Sequence, residues 1–276
     1  MKLDAHQHFW AYDRAEYAWI GRGMEGLQRD FFPPDLQAER EKAGIQASIA
    51  VQARQSLEES RWLLALAQKD PGIHGVVAWA DLTSPELGEQ LDELKGPKLL
   101  GLRHVIQDET DPGFMERPAF LAGLAQLKDR GLAFDLLIQA GQLPVAATLV
   151  SRFPGQRFIL DHLAKPKIKA GLIEPWKSEI RALARLPNVA CKLSGFATEA
   201  DWKAWKASDF EPYFQTALEA FGPQRLIFGT DWPVCTLAAS YGEVTEVVAA
   251  FIKSLSQTEQ AGIFGLNALR IYGGQA

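Results

Sequence analysis

Leu3-Asp4-Ala5-His6-Gln7-His8-Phe9-Trp10 is the stretch on which the reading of this chain turns. Apolar and polar residues alternate through it, which predicts a strand. On a strand, side chains two apart share a face. His6 and His8 then point the same way, close enough to share a metal ion or to converge on one substrate oxygen.

Outward from this strand, the pattern repeats. Strands are predicted at Ala47–Gln52, Ile73–Leu82, Leu99–Ile106, Ala133–Gln139, Arg157–Leu163, Val189–Gly195 and Arg225–Thr230. Helices or long connections separate them. Pro34 or Asp35 opens one to Ala43, which Gly44 stops. Ser56 with Glu59 reads as a capping box, and so does Ser256 with Glu259. Further helices are expected at Trp202–Lys206 and Pro212–Phe221. Eight strand–helix units over roughly 250 residues predict a single domain, 1–276, folded as an α/β (β/α)₈ barrel. An open doubly wound sheet is the competitor. It lacks its best support, because no Gly-x-Gly-x-x-Gly follows the first strand. The segment from Ala11 to Arg40, with Gly21, Gly23, Gly26, Pro33 and Pro34, is long for a loop and is expected to lie over the site mouth.

Composition narrows the partners. The net charge of −5 argues against nucleic acid or an anionic membrane as partner. Two cysteines, Cys191 and Cys235, make no disulfide framework. Neither a signal-peptide pattern nor a run of ~20 apolar residues occurs, so the expectation is a cytoplasmic protein with no membrane span. Oligomeric state is left open.

Polar residues collect where the predicted strands end. They are His6 and His8, Gln52 and Arg54, Trp79 and Asp81, Arg103 and His104, Asp161 and His162, Lys192 and Ser194, and Asp231. In a (β/α)₈ barrel these C-terminal ends form the active-site mouth. Arg103 and His104 are neighbours on one strand and face opposite ways, with Arg103 the preferred inward residue. Asp161 and His162 divide similarly, with Asp161 orienting a neighbouring group or capping a helix. Lys192 stands between a site group and a snorkelling lysine. Trp10, Trp79 and Trp232 sit where a pocket wall would be.

Asp4-Ala5-His6-Gln7-His8-Phe9-Trp10, Gly101-Leu102-Arg103-His104, Leu160-Asp161-His162-Leu163-Ala164-Lys165-Pro166, Cys191-Lys192-Leu193-Ser194-Gly195 and Phe228-Gly229-Thr230-Asp231-Trp232-Pro233-Val234 together resemble the amidohydrolase superfamily, more narrowly its sugar-lactonase branch. Asn267-Ala268 with Tyr272 resembles that family's closing helix. The resemblance implies a distorted barrel and hydrolysis at the strand ends. It also implies one or two divalent metals held by the first-strand histidines, a strand 4 lysine or carboxylate, histidines on strands 5 and 6, and a strand 8 aspartate. This chain has no histidine on strand 5 and Arg103-His104 on strand 4, so the expected set shrinks to one Zn²⁺ on His6, His8 and Asp231, joined by His162.

The function expected is hydrolysis of a small neutral sugar lactone. Asp231 would be the general base. His162, Arg103 and His104 would be its catalytic companions, with Trp10, Gln52, Trp79, Lys165 and Trp232 binding the sugar. A lactone is an activated ester, so the metal is expected to be dispensable. The alternatives are a metal-dependent amide hydrolase or decarboxylase on the same barrel, a dicarboxylate lactonase, and a non-catalytic binding protein.

Overall fold

The computed structural model describes residues 1–273, so the last three residues of the expected domain lie outside the described residues. Eight parallel strands pair in chain order: β1 (Leu3–Gln7), β2 (Ala47–Val51), β3 (Ile73–Ala78), β4 (Leu99–His104), β5 (Ala133–Leu136), β6 (Phe158–Leu160), β7 (Val189–Leu193) and β8 (Leu226–Phe228). Each is followed by a helix: α1 (Pro33–Ala43), α2 (Leu57–Lys69), α3 (Leu87–Leu94), α4 (Pro118–Asp129), α5 (Leu143–Arg152), α6 (Trp176–Ala184), α7 (Ala207–Phe221) and α8 (Tyr241–Phe251). Two short helices, α9 (Gln257–Ala261) and α10 (Asn267–Tyr272), end the described chain. The helix expected around Trp202–Lys206 is turns instead.

First and last strands meet at their C-terminal ends. His8 N donates to Trp232 O at 2.7 Å, and Asp231 N donates to His6 O at 2.8 Å. Asp4 reinforces this seam. Its carboxylate accepts from Thr230 Oγ1 (2.6 Å), Thr230 N (2.9 Å) and His6 N (3.0 Å). Burial pushes the Asp4 carboxyl up to about 6, against the hydrogen bonds from Thr230 and His6. The sheet is thus a nearly closed (β/α)₈ barrel, with its mouth where β1 and β8 are stitched together.

Two apolar layers follow from strand alternation. Leu3, Ala5, Ile49, Val51, Val77, Ala133, Ile159, Ala190 and Ile227 fill the barrel interior. Ala268, Ile271 and Tyr272 of α10 pack into the same cluster and close its lower end. Alternate residues, such as Phe134, Leu136, Phe158, Leu160 and Phe228, face the helices and join the larger outer core. Two expected helix starts are present, whereas α7 begins at Ala207, five residues before the expected Pro212, and carries that proline inside it. Ser56 accepts from Glu58 N and Glu59 N, and Ser256 with Glu259 forms a capping box. Gly44 ends α1 in the left-handed conformation that a residue without Cβ adopts most cheaply.

Candidate active site

Regular alternation would leave His6 and His8 on the side opposite Leu3 and Ala5. The pairing of β1 with β2 slips between Asp4 and Gln7, where three residues on β1 span two on β2. Such a bulge reverses the phase of the strand beyond it. Leu3 and Ala5 therefore fill the interior, and His6 and His8 continue on that inward side at the mouth. Gln7 turns outward and donates to Ser48 Oγ at 3.2 Å.

On β4 the expected division holds. Arg103 points inward, donating through Nη1 to His6 Nε2 (3.1 Å) and Asp161 Oδ2 (3.1 Å). Its Nη2 donates to the Gln52 backbone and side-chain oxygens. His104 points the other way. It stacks on Phe114 with ring centroids 4.6 Å apart and meets Glu109 Oε1 at 2.6 Å. The expectation of a catalytic His104 is therefore corrected, because the pleat assigns it to the helix layer.

At β6 the pleat gives way to a turn. Asp161 keeps the inward phase of Ile159. His162, Leu163, Ala164 and Lys165 then all take positive φ, between 50° and 56°. Left-handed backbone costs a non-glycine residue roughly 1–2 kcal/mol, and Trp176 Nε1 pins this turn by donating to Leu163 O at 2.7 Å. The turn brings both Asp161 and His162 to the mouth, which strict alternation forbids. His162 Nδ1 meets Ser194 Oγ at 2.9 Å. Gly195 lies behind the ring, and a Cβ there would overlap Nδ1 and Cγ of His162. Gly229 does the same for His6, where a Cβ would sit 2.7 Å from the His6 Cβ.

Asp231, just past β8, has φ 63° and gathers the rings. Its Oδ1 lies 3.3 Å from His8 Nε2, 3.7 Å from His6 Nε2 and 3.8 Å from His162 Nε2. Burial works against its charge, but His162, His8 and His6 outweigh it and hold the carboxyl below the usual carboxylate range. His162 is pushed down to about 4, by burial above all, so it is neutral at pH 7. His6 is also held well below the imidazole range by burial, with Lys192 adding and Asp161 opposing. At neutral pH the ionised Asp231 carboxylate faces the neutral rings of His6 and His162, with the Arg103 guanidinium beside them.

His8, Arg103, His162 and Asp231 floor a cleft of about 690 Å³, and His6 and Asp161 lie fully buried directly beneath them. Its wall differs from the expected one. Trp10 is fully buried between Tyr17, Trp19 and Phe31, and its Nε1 donates to Arg29 O. Trp232 packs on Phe9 and Phe31. Trp79 is tied through its backbone to Ser60 Oγ. Gln52 is buried against Arg103. None of these four lines the cleft, so their expected contact with a sugar is corrected. The strand-end tryptophans fall on outward or seam positions, where the aromatic layer takes them.

Lys165 does line the cleft, 4.0 Å from Glu199. The aromatic wall comes from loops, namely Trp19 after β1 and Trp202 after β7. Trp19 is 39% exposed, and Trp202 is held by its Nε1 donating to Thr198 O. Loop positions carry no periodicity, so sequence offers little sign of them. Lys192, expected as either a site group or a snorkelling lysine, is fully buried and does not snorkel, and its partner Asp135 was legible in principle, since it is a lone charge in an otherwise apolar strand. They pair below the floor at 2.5 Å.

His6, His8 and Asp231 bring one ligand atom each within 4.8 Å of one another, and His6 groups similarly with Asp161 and His162. The first set fits a single divalent cation. Two imidazole nitrogens and a carboxylate oxygen with an open fourth position are a zinc-type donor set, and donors on a tetrahedron lie ~3.3 Å apart. Arg103 would have to release His6 Nε2. The second set does not fit, because Asp161 already faces Lys192 at 2.9 Å and Arg103 at 3.1 Å. His162 thus falls in a different group from His8, which separates the expected four ligands.

A (β/α)₈ barrel with a His-x-His on its first strand and an aspartate after its last defines a class of strand-end hydrolase scaffolds. The chain belongs to the amidohydrolase family, whose model matches residues 3–274. It is 43% identical to an L-fucono-1,5-lactonase of Burkholderia multivorans, over 99% of this chain and 96% of that protein. It is 34% identical to an L-fucono-1,5-lactonase of Burkholderia ambifaria, over 98% and 95%. A crystal structure of an amidohydrolase from Burkholderia multivorans with bound Zn superposes with a TM-score of 0.97 at 42% identity, covering 100% of both chains. Among the described residues, no helix is long and apolar enough to cross a membrane.

Proposed function

We propose that this chain hydrolyses a neutral six-carbon sugar lactone, of the kind named for its L-fucono-1,5-lactonase relatives. The observation that carries the reading is the ionised Asp231 carboxylate on the cleft floor, faced by His6, His8 and His162 and flanked by Arg103. Asp231 takes a proton from water as the water attacks the lactone carbonyl carbon. The carbonyl oxygen gains negative charge near Arg103 and the imidazole donors, which is where such donors lower a barrier most. Collapse breaks the ring C–O bond, and the proton held by Asp231 passes to the leaving alkoxide. His6, His8 and Asp231 would hold a divalent ion such as Zn²⁺, which would supply Lewis-acid polarisation of the carbonyl. An activated ester needs this help less than an amide does, so on this reading the ion is dispensable.

The charge of the cleft favours a neutral substrate over the dicarboxylate alternative. Glu16, Asp108, Glu109, Glu199 and Asp231 line it, against Arg54, Arg103 and Lys165. Each cation already has a carboxylate: Glu16 for Arg54, Asp161 for Arg103 and Glu199 for Lys165. Two substrate carboxylates would find no free guanidinium. Polyol hydroxyls instead find acceptors on the acids and apolar faces on Trp19 and Trp202. The test is kcat/KM for neutral sugar lactones beside a dicarboxylate lactone, with and without chelator. Neutral lactones should lead, and chelation should leave most activity. A dicarboxylate preference above tenfold, about 1.4 kcal/mol, would overturn the assignment.

A further inference from the structure

Beneath the floor lies a buried charge cluster that the hydrolysis above does not use. Lys192 Nζ on β7 is 2.5 Å from Asp135 Oδ2 on β5 and lies 3.1 Å from His6 Nδ1. It also pairs with Asp161 Oδ1 at 2.9 Å. The hydroxyl of Tyr272, on α10, lies 2.7 and 2.9 Å from the two Asp135 oxygens. Lys192, Asp135 and Asp161 are all fully buried, directly above the aliphatic interior of the barrel. Two carboxylates, one ammonium and the Arg103 guanidinium balance in charge.

Stability does not explain such a cluster. Burying ions costs several kcal/mol each, and replacing a buried pair by apolar residues is often neutral or stabilising. What the cluster does provide is direction. A basic side chain stands at each nitrogen of His6, Lys192 at 3.1 Å from Nδ1 and Arg103 donating to Nε2, while Asp161 Oδ1 lies 3.4 Å from Nδ1. Asp161 is likewise held between Lys192 and Arg103. Turning the ring gives up its contacts with both basic side chains, and turning the carboxylate gives up an ion pair with Lys192 or Arg103, where burial leaves no water to replace them.

We propose that Lys192, braced by Asp135 and Tyr272, is a positioning residue for the hydrolysis. It fixes the ring plane of His6 and the carboxylate of Asp161, and through them the direction in which Arg103 faces the cleft. The C-terminal helix thereby supports the reaction from the opposite end of the barrel. The proposal rests on the lactonase reading for its kinetic part only.

The test compares the parent with Tyr272→Phe and with the charge-neutral double variant D135L/K192M. Melting temperature, kcat, KM and the His6 imidazole NMR resonances are measured for each. The double variant should melt near the parent, keep KM within threefold, lose 100-fold or more in kcat and shift the His6 resonances. Tyr272→Phe, which keeps every charge, should lose roughly tenfold in kcat, and it decides the matter if the double variant does not fold. A kcat within threefold of the parent, or unmoved His6 resonances, overturns the proposal. If the parent opens no lactone, the functional reading fails by itself, and the resonances alone decide whether Lys192 positions His6.

Discussion

The floor and the wall of the cleft are built on different principles. The floor residues Arg103, His162 and Asp231, with His6 and Asp161 directly beneath them, are all buried and stand at or just beyond strand ends, each held by at least one of the others. The wall residues Glu16, Trp19, Lys165, Glu199 and Trp202 come from turns and loops and are partly or largely exposed. A network in which every polar group depends on its neighbours is suited to fixed chemistry. A loop-borne wall can change side chain by side chain without disturbing that chemistry. The difference implies that floor variants change kcat and wall variants change KM.

Asp231→Asn breaks the floor most completely. Asparagine keeps the shape but cannot take the proton, and losing a general base costs on the order of 10²–10⁴ in rate. Circular dichroism should match the parent while kcat collapses; near-full kcat would move the base to Asp161. Gly195→Ala attacks the floor from behind. The new methyl overlaps the His162 ring, and φ of 64° at residue 195 already disfavours a side chain. A kcat loss of about 10²-fold is expected, of the size seen when catalytic geometry slips by about an ångström. An unchanged kcat would show that the ring can retreat without cost.

Trp202→Ala sharpens the comparison from the other side. Loss of one stacking face should raise KM roughly tenfold, in line with about 1–1.5 kcal/mol for an aromatic contact, with kcat within threefold. If kcat falls instead, the wall takes part in the chemistry. The smallest kinetic effect is expected for His104→Ala. The residue belongs to neither region, so steady-state rates should stay near the parent. Its stacking on Phe114 and its contact with Glu109 should still cost about 1–3 kcal/mol of stability. A large loss of turnover in a well-folded His104→Ala protein would return this histidine to the site.

How much of this was legible beforehand varies by residue. The eight strands announce themselves through short apolar runs separated by helix stop and start signals, and Ser56, Gly44 and Ser256 mark boundaries found in the structure. Polar residues at the strand ends pointed to the mouth because the barrel topology makes them converge. His6, His8, Arg103, His162, Lys165 and Asp231 all meet there. Trp10, Trp79, Trp232, Gln52 and His104 occupy similar sequence positions and do not.

Local chemistry therefore determined the elements, their order and the family, because periodicity and capping are short-range properties written residue by residue. Tertiary structure decided which side chains face the cleft. The bulge between Asp4 and Gln7 reverses the phase of β1, and the left-handed turn at 162–165 carries Asp161 and His162 inward together. Both depart from the two-residue period on which any reading of strand faces depends. The pairing of Asp135 with Lys192 and Tyr272, separated by 57 and 137 residues, likewise exists only once the barrel has closed. Apolar surroundings demand a partner for each buried charge, but only the closed barrel selects which one.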